Sequence, residues 1–347
     1  MLARIAQELF WLGRDLNRAE NTARMLDGAF HADVAGAPNE RGIALSWAGV
    51  LAIIGAKPPA PGEEAGAERE PAEAAAAAVE AAADGWVGGG WAPLLGRAEV
   101  APLLTLDTDS PASIVSCVAR ARDRGRTLRD VISTEMWEAL NAFYLSLGRY
   151  DLQAALLTGP YSVYQEVKER CAQLWGLVDR TMLRDEGRAF LEAGGRIEEA
   201  DMVLRMLRVT VPAEAERNGE FGHDAEALAL LQATGGVQAY RRAVRQTPTL
   251  RSVTRFLLYE GAYPGSVASS LEALRTALET ADAQPRSSPP VLRLGRLIAD
   301  LELQRRTPGQ TDLVGEMLAQ IQDELELIDR DVDDRYFAIA ALSAVHL

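Results

Sequence analysis

The chain has 347 residues, of which 48% are hydrophobic, 25% charged and 6% aromatic, a composition that describes a globular protein with a sizeable core. Its formal net charge of −14 argues against a nucleic-acid binder or a protein that lies on anionic membranes, since both need a basic surface. No apolar run reaches the ~18 residues that span a bilayer, the N-terminus has no signal-like block, and two cysteines, Cys117 and Cys171, are too few for a disulfide framework, so a reducing cytoplasm is expected.

Helical periodicity runs along almost the whole sequence and predicts an all-α fold. In the first helix Leu2, Ile5, Leu9, Leu12, Leu16, Ala19, Ala23 and Leu26 form one apolar seam. Arg14, Arg18 and Asn21 lie nearly opposite, flanked by Phe10, Trp11 and Met25. A helix that is apolar on both sides is buried on both, and polar groups within the second face then need partners. Two readings stay open. One is an internal salt-bridge network; the other is a pocket in which guanidinium forks grip a carboxylate or phosphate. Glu20 and Arg24 read as a helical i,i+4 ion pair.

Residues 57–100, rich in Pro, Ala, Gly and Glu, read as an acidic insertion, with its most mobile part at 60–90. Asp109-Ser110-Pro111 then reads as the cap of one long helix reaching Leu147. Arg122 and Arg129 fall within its apolar arc, where arginine is expected to be buried and paired or to bind an anion. Glu135 borders the arc. Glu138 points away from it, yet shares with Glu135 a stretch dense in groups that bond, stack or titrate. Further helices are predicted over 161–182, 186–208, 223–245, 249–258, 264–282, 290–305 and 312–345, punctuated by prolines.

Two internal similarities suggest a duplication. Gly13, Ala19, Arg24, Met25 and Leu26 align with Gly194, Ala200, Arg205, Met206 and Leu207 at an offset of 181. "PASIVSCVARAR" (111–122) aligns with "PGSVASSLEALR" (264–275) at an offset of 153. The difference, 28 residues, is accommodated by the low-complexity insertion. The Glu20–Arg24 spacing recurs as Asp201–Arg205, but the arginine face of the first helix does not recur.

The stretches "LFWLGRDLNRAENTARMLD", "SPASIVSC", "RDVISTEMWEALN", "TMLRDEGRAFL" and "ADMVLRMLR" together resemble the Alpha-E family, a predicted alpha-helical domain with a conserved ER motif. The resemblance implies an all-helical protein that works beside a circularly permuted ATP-grasp protein and a transglutaminase-like protein, in amide-bond formation or peptide modification. ATP is then expected on the partner and not on this chain. Where the family reads Leu-Glu-Arg-Ala in both repeats, this chain has Leu16-Asn17-Arg18-Ala19 and Ile197-Glu198-Glu199-Ala200. Each half keeps one member of the pair, and Arg18 and Glu198 could still supply one of each across the halves.

Other chemistries read poorly. "GWVGGGW" lacks the lysine and hydroxyl of a phosphate loop, and His31, His223 and His346 are scattered. A carboxylate-only metal site of Glu20, Glu135, Glu198 and Asp201 is the weakest reading, so no metal is expected.

The sequence therefore predicts one all-helical domain over 1–347, with a pseudo-twofold duplication: half one 1–150, half two 183–347. Its expected function is substrate handling in an ATP-grasp-linked amide-ligation system, with a small anionic ligand and neither nucleic acid nor membrane as partner. A stand-alone enzyme acting on the amide or amine product, or a non-catalytic scaffold, are the alternatives. The expected site is a single, locally positive pocket bordered by Arg14, Arg18 and Asn21. Arg122 or Arg129 and Glu135 should lie nearby, with Glu198 reaching in from the second half. Glu135, Glu138 and Glu198 are the candidate catalytic groups.

Overall fold

The computed structural model describes residues 1–34, 45–56, 96–148, 154–155, 159, 161–211, 224–306 and 314–338. Among these are thirteen α-helices and no strand. In chain order they are α1 (Ala3–Val34), α2 (Trp47–Ile54), α3 (Arg97–Thr105), α4 (Ile114–Thr127), α5 (Thr134–Leu147), α6 (Tyr161–Thr181) and α7 (Glu186–Thr210). The second half adds α8 (Asp224–Ala233), α9 (Val237–Ala243), α10 (Leu250–Tyr259), α11 (Val267–Ala281), α12 (Pro289–Arg306) and α13 (Val314–Val332), which runs into a π-turn at Asp333–Phe337.

Side-chain caps start six of these helices. Ser46, Ser113, Ser133 and Ser266 each accept a hydrogen bond from the backbone N–H three residues on, and Asp185 accepts from Gly187 and Arg188. Such a cap satisfies donors that the first turn would otherwise leave open. Three expectations are corrected here. The helix expected over 111–147 is two helices, because Leu128 closes α4 and Ser133 caps α5. The helix expected over 223–245 breaks at Thr234-Gly235-Gly236, where Gly235 takes φ 72°, a conformation that favours glycine. The insertion expected to end at 100 gives way earlier: α3 begins at Arg97, with the Gly96 N–H donating to Glu99. The rest of that segment, including 60–90, lies outside the described residues.

α1 and α7 form the centre, packed against each other and buried on several sides. α4 and α6 cover one side of α1, and α5 bridges them. α11 and α13 cover α7, and α12 bridges those. Phe10, Leu16, Ala19 and Met25 on α1, and Leu191, Ala200 and Leu204 on α7, are fully buried. Both faces of α1 are therefore inside, as its two-sided pattern predicts.

The central helices touch backbone to backbone. A Cβ at Gly13 would run into the Leu191 carbonyl, and one at Gly194 into the Phe10 carbonyl. These contacts exchange under the offset of 181, which relates Gly13 to Gly194 and Phe10 to Leu191. The caps match in the same way under the offset of 153: Ser113 Oγ donates to the Asp107 carbonyl, and Ser266 Oγ to the Glu260 carbonyl.

Candidate functional site

The close approach at Gly13 and Gly194 sets the polar residues of the next turns against one another. Arg18 donates to Glu198 through Nε at 2.6 Å and Nη2 at 2.9 Å. Arg14 donates to the same carboxylate at 3.1 Å and sends its other arm to Asp329 of α13 at 2.8 Å. Glu198 is wholly buried. Burial alone would raise its pKa, but the guanidiniums of Arg18 and Arg14 outweigh burial and hold it below the ordinary glutamate value. The Arg14 guanidinium also lies 4.8 Å from the Trp11 ring centre. Asp15, on the other flank, takes Arg120 at 2.7 Å and Arg124 at 2.8 Å.

This arrangement explains why the arginine face occurs only once. Where α1 carries Arg14 and Arg18, α7 carries Gly195 and Glu199 under the offset of 181, and the acid that the arginines grip, Glu198, stands at the position of Asn17. Arg18 and Glu198, the surviving members of the two altered motifs, pair directly across the halves. Arg14, Arg18 and Glu198 are brought together, but in an ion network, and none of the three borders the cleft described next. The four carboxylates of the weakest, metal-binding reading are not brought together. Glu198 is engaged by two arginines, and the four acids form no metal-holding group among the described residues.

A cleft of about 540 Å³ opens one step around the crossing, on the side of the other two motif positions. Asn17 donates to the Gly195 carbonyl at 2.6 Å. Asn21 donates to Asn17 at 3.0 Å and to Glu199 at 3.2 Å. Glu199 is therefore a carboxylate held by an amide; among the described residues no arginine bonds it, and Arg196 and Arg24 act on it through their charge alone. Burial, with the charge of Glu20 adding to it, pushes its pKa above the ordinary range.

Other elements complete the walls. Trp175 and Val178 of α6 form the apolar side, and Tyr263, whose hydroxyl donates to the Thr234 carbonyl at 2.6 Å, closes another. Arg24 is paired with Glu20 at 2.7 Å, and Arg188 with Glu192 and Asp179 at 2.7 and 2.9 Å. Arg196 also lines the cleft, and among the described residues it has no ion-pair partner. Three arginines and four acids border the space, so the expectation of a positive pocket is corrected. Of the expected site residues only Asn21 lies here.

Arg122, Arg129, Glu135 and Glu138 lie elsewhere. Arg122 donates to Asn141 at 3.1 Å and stacks on Tyr144 at 4.9 Å. Arg129, Glu135 and Glu138 are exposed, with Arg129 resting 4.4 Å from the Trp137 ring centre. Their expected positions assumed one continuous helix; the break after Thr127 puts Arg129 beyond the end of α4 and α5 on a new axis. Arg129→Met should accordingly change stability by less than ~1 kcal/mol in a denaturant titration, since an exposed cation–π contact contributes little. A larger loss would mean that the side chain carries a buried contact.

Sequence reasoning missed Arg196, Glu199, Trp175 and Tyr263 as site residues. The signal for Glu199 was its departure from the repeated motif. Arg196 has no comparable signal, because α7 is buried around most of its circumference and shows no distinct polar face.

A family model described as "a predicted alpha-helical domain with a conserved ER motif", Alpha-E, matches residues 1–337. An uncharacterized protein of Mycobacterium bovis is 26% identical over 248 residues, covering 67% of this chain and 27% of its own length. Two uncharacterized proteins of Mycobacterium tuberculosis strains match over the same length, at 26% and 25% identity. The chain thus spans about a quarter of the length of these relatives (27%). No solved structure matches it.

Proposed function

The chain belongs to the Alpha-E family, and from that premise we propose that it is a substrate-handling component of an ATP-grasp-linked amide-bond-forming system. In this reading it holds a carboxylate- or phosphate-bearing ligand in the cleft beside the α1–α7 crossing. The observation that carries the proposal is Arg196, which lines the cleft without an acid while Arg24 and Arg188 are both matched. An unmatched guanidinium in a concavity is a ready fork for an oxyanion. The cleft is also of the size that small-molecule sites occupy, roughly 300–1,000 Å³.

The catalytic power for amide formation then resides in the ATP-grasp partner, which binds ATP and makes an acyl phosphate. The helical protein presents the carboxylate or shields the activated species from water. A transglutaminase-like protein is the second partner that the family resemblance implies. The much longer relatives support a domain that works beside other domains. Two free, buried thiols are consistent with a cytoplasmic setting. The reciprocal glycine contacts and matched serine caps support descent of the two halves from one module.

Arg196→Met tests the anion site. The side chain is half-buried and its removal breaks no ion pair among the described residues, so the melting temperature should stay nearly constant. Affinity for succinate or inorganic phosphate, read by isothermal titration calorimetry, should fall about 10-fold or more. Unchanged affinity would remove Arg196 from the site. Copurification from the native host tests the partner, and recovery without any ATP-grasp protein would count against that part.

A further inference from the structure

The cleft presents two opposite charges that feel each other through space but form no ion pair. Arg196 and Glu199 are three residues apart on α7 and so share a face of that helix. They nevertheless form no ion pair: Glu199 accepts from Asn21 instead, and Arg196 pairs with nothing among the described residues. Their surroundings sharpen the polarity. Glu20 adds its charge on the Glu199 side, partly offset by Arg196 and then Arg24. The Trp175 ring lies against Gly195, next to Arg196 in the chain, and offers an apolar wall.

A ligand with one anionic group would satisfy Arg196 and leave the acid unmatched. We propose that the ligand of this cleft is an α-amino acid or a short peptide, whose ammonium is received by Glu199 and whose carboxylate is received by Arg196, with its side chain against Trp175. Glu199 is half-buried and has no cation bonded to it among the described residues. Taking a carboxylate out of water without such a partner is costly, and an ammonium placed beside it makes a charge-assisted pair of the strong kind. The side-chain amides of Asn17 and Asn21 hold Glu199 and the Gly195 carbonyl in place before any ligand arrives. This inference rests on the cleft being the ligand site.

The test is a calorimetric panel on the full chain. It comprises the twenty proteinogenic amino acids and the dipeptides Ala-Ala and Glu-Glu, each beside its N-acetyl and its methyl-ester derivative. The expected result is that at least one zwitterion binds, and that blocking either end weakens binding about 10-fold or more. The better of the free amino acids and the dipeptides identifies the source. Glu199→Gln should bring the zwitterion down to the level of its N-acetyl form, and Arg196→Met to the level of its ester. The ranking on the unaltered protein decides the question even if a variant folds poorly. Equal binding of a zwitterion and its N-acetyl form would overturn the ammonium seat while leaving the anion site standing. Binding of none of these, nor of succinate or phosphate, would overturn both.

Discussion

Glu198→Gln should destabilise this protein by about 3 kcal/mol or more, because it removes the fully buried carboxylate that the buried Arg14 and the half-buried Arg18 share. Glu198 is fully buried, and its two oxygens accept three hydrogen bonds from Arg14 and Arg18. The amide keeps one acceptor but turns N–H donors toward guanidiniums that also only donate. Arg14 retains Asp329, whereas Arg18 loses its one ion-paired carboxylate among the described residues. Urea titration measures the loss. Arg18→Met combined with Glu198→Leu should recover much of it, since replacing a whole buried pair by apolar groups is often neutral. A loss under ~1 kcal/mol in the single variant would mean that water already reaches the network.

The pH dependence follows from the depressed pKa of Glu198. A carboxyl whose folded pKa lies below its ordinary value contributes stability that is fully present above that value, 4.5 here. The contribution is lost as pH falls through the folded value. The gap between the unaltered protein and Glu198→Gln should therefore stay constant from neutral pH down to about 4.5 and narrow in stronger acid.

The second large effect is expected at the crossing itself. Gly13→Ala and Gly194→Ala should each cost about 3 kcal/mol, the upper end for an overpacked core. The new Cβ meets main-chain atoms: the Leu191 carbonyl and the Gly195 nitrogen in one case, the Phe10 carbonyl and Cα in the other. Backbone cannot rotate away as a side chain can, so the central helices must separate and loosen the ion network one turn on. Gly176→Ala on α6 is the control, since a Cβ there meets nothing within 4 Å. It should be neutral or stabilising by about 0.5–1 kcal/mol, as expected for glycine to alanine in an exposed helix. If Gly13→Ala melts with the control, the helices are not in contact at that point.

The all-helical class and the two-sided burial of α1 were legible because hydrophobic spacing reports directly which faces are inside. That spacing could not reveal the break between α4 and α5. Leu128 and Ile132, in the turn, are buried like their helical neighbours and keep the three-to-four step intact. Ser133, a cap in mid-pattern, was the sign of it. The partnership of Arg18 with Glu198 was foreshadowed by the halved motifs. That the pair lies outside the cleft, and that the open space lies beside Asn17 and Glu199, depends on how two helices cross, which neither helix encodes alone. Arg122 and Arg129 illustrate the same limit: their shared arc existed only on a helix that the chain does not make.

The position of α1 has a consequence for synthesis. Its nearest neighbour, α7, begins over 150 residues later in the sequence, and Arg14 finds its second acid at Asp329, 315 positions away. Contacts of such separation are slow to form. At ribosomal rates of about 5–20 residues per second, α1 waits roughly 10–40 s before Glu198 emerges. During that interval Phe10, Leu16 and Met25 have no partner from α7, while Arg14 and Arg18 stay hydrated. The two guanidiniums then keep the second, partly aromatic face of α1 hydrated in the nascent chain, and the same charges become ion pairs when α7 and finally α13 arrive.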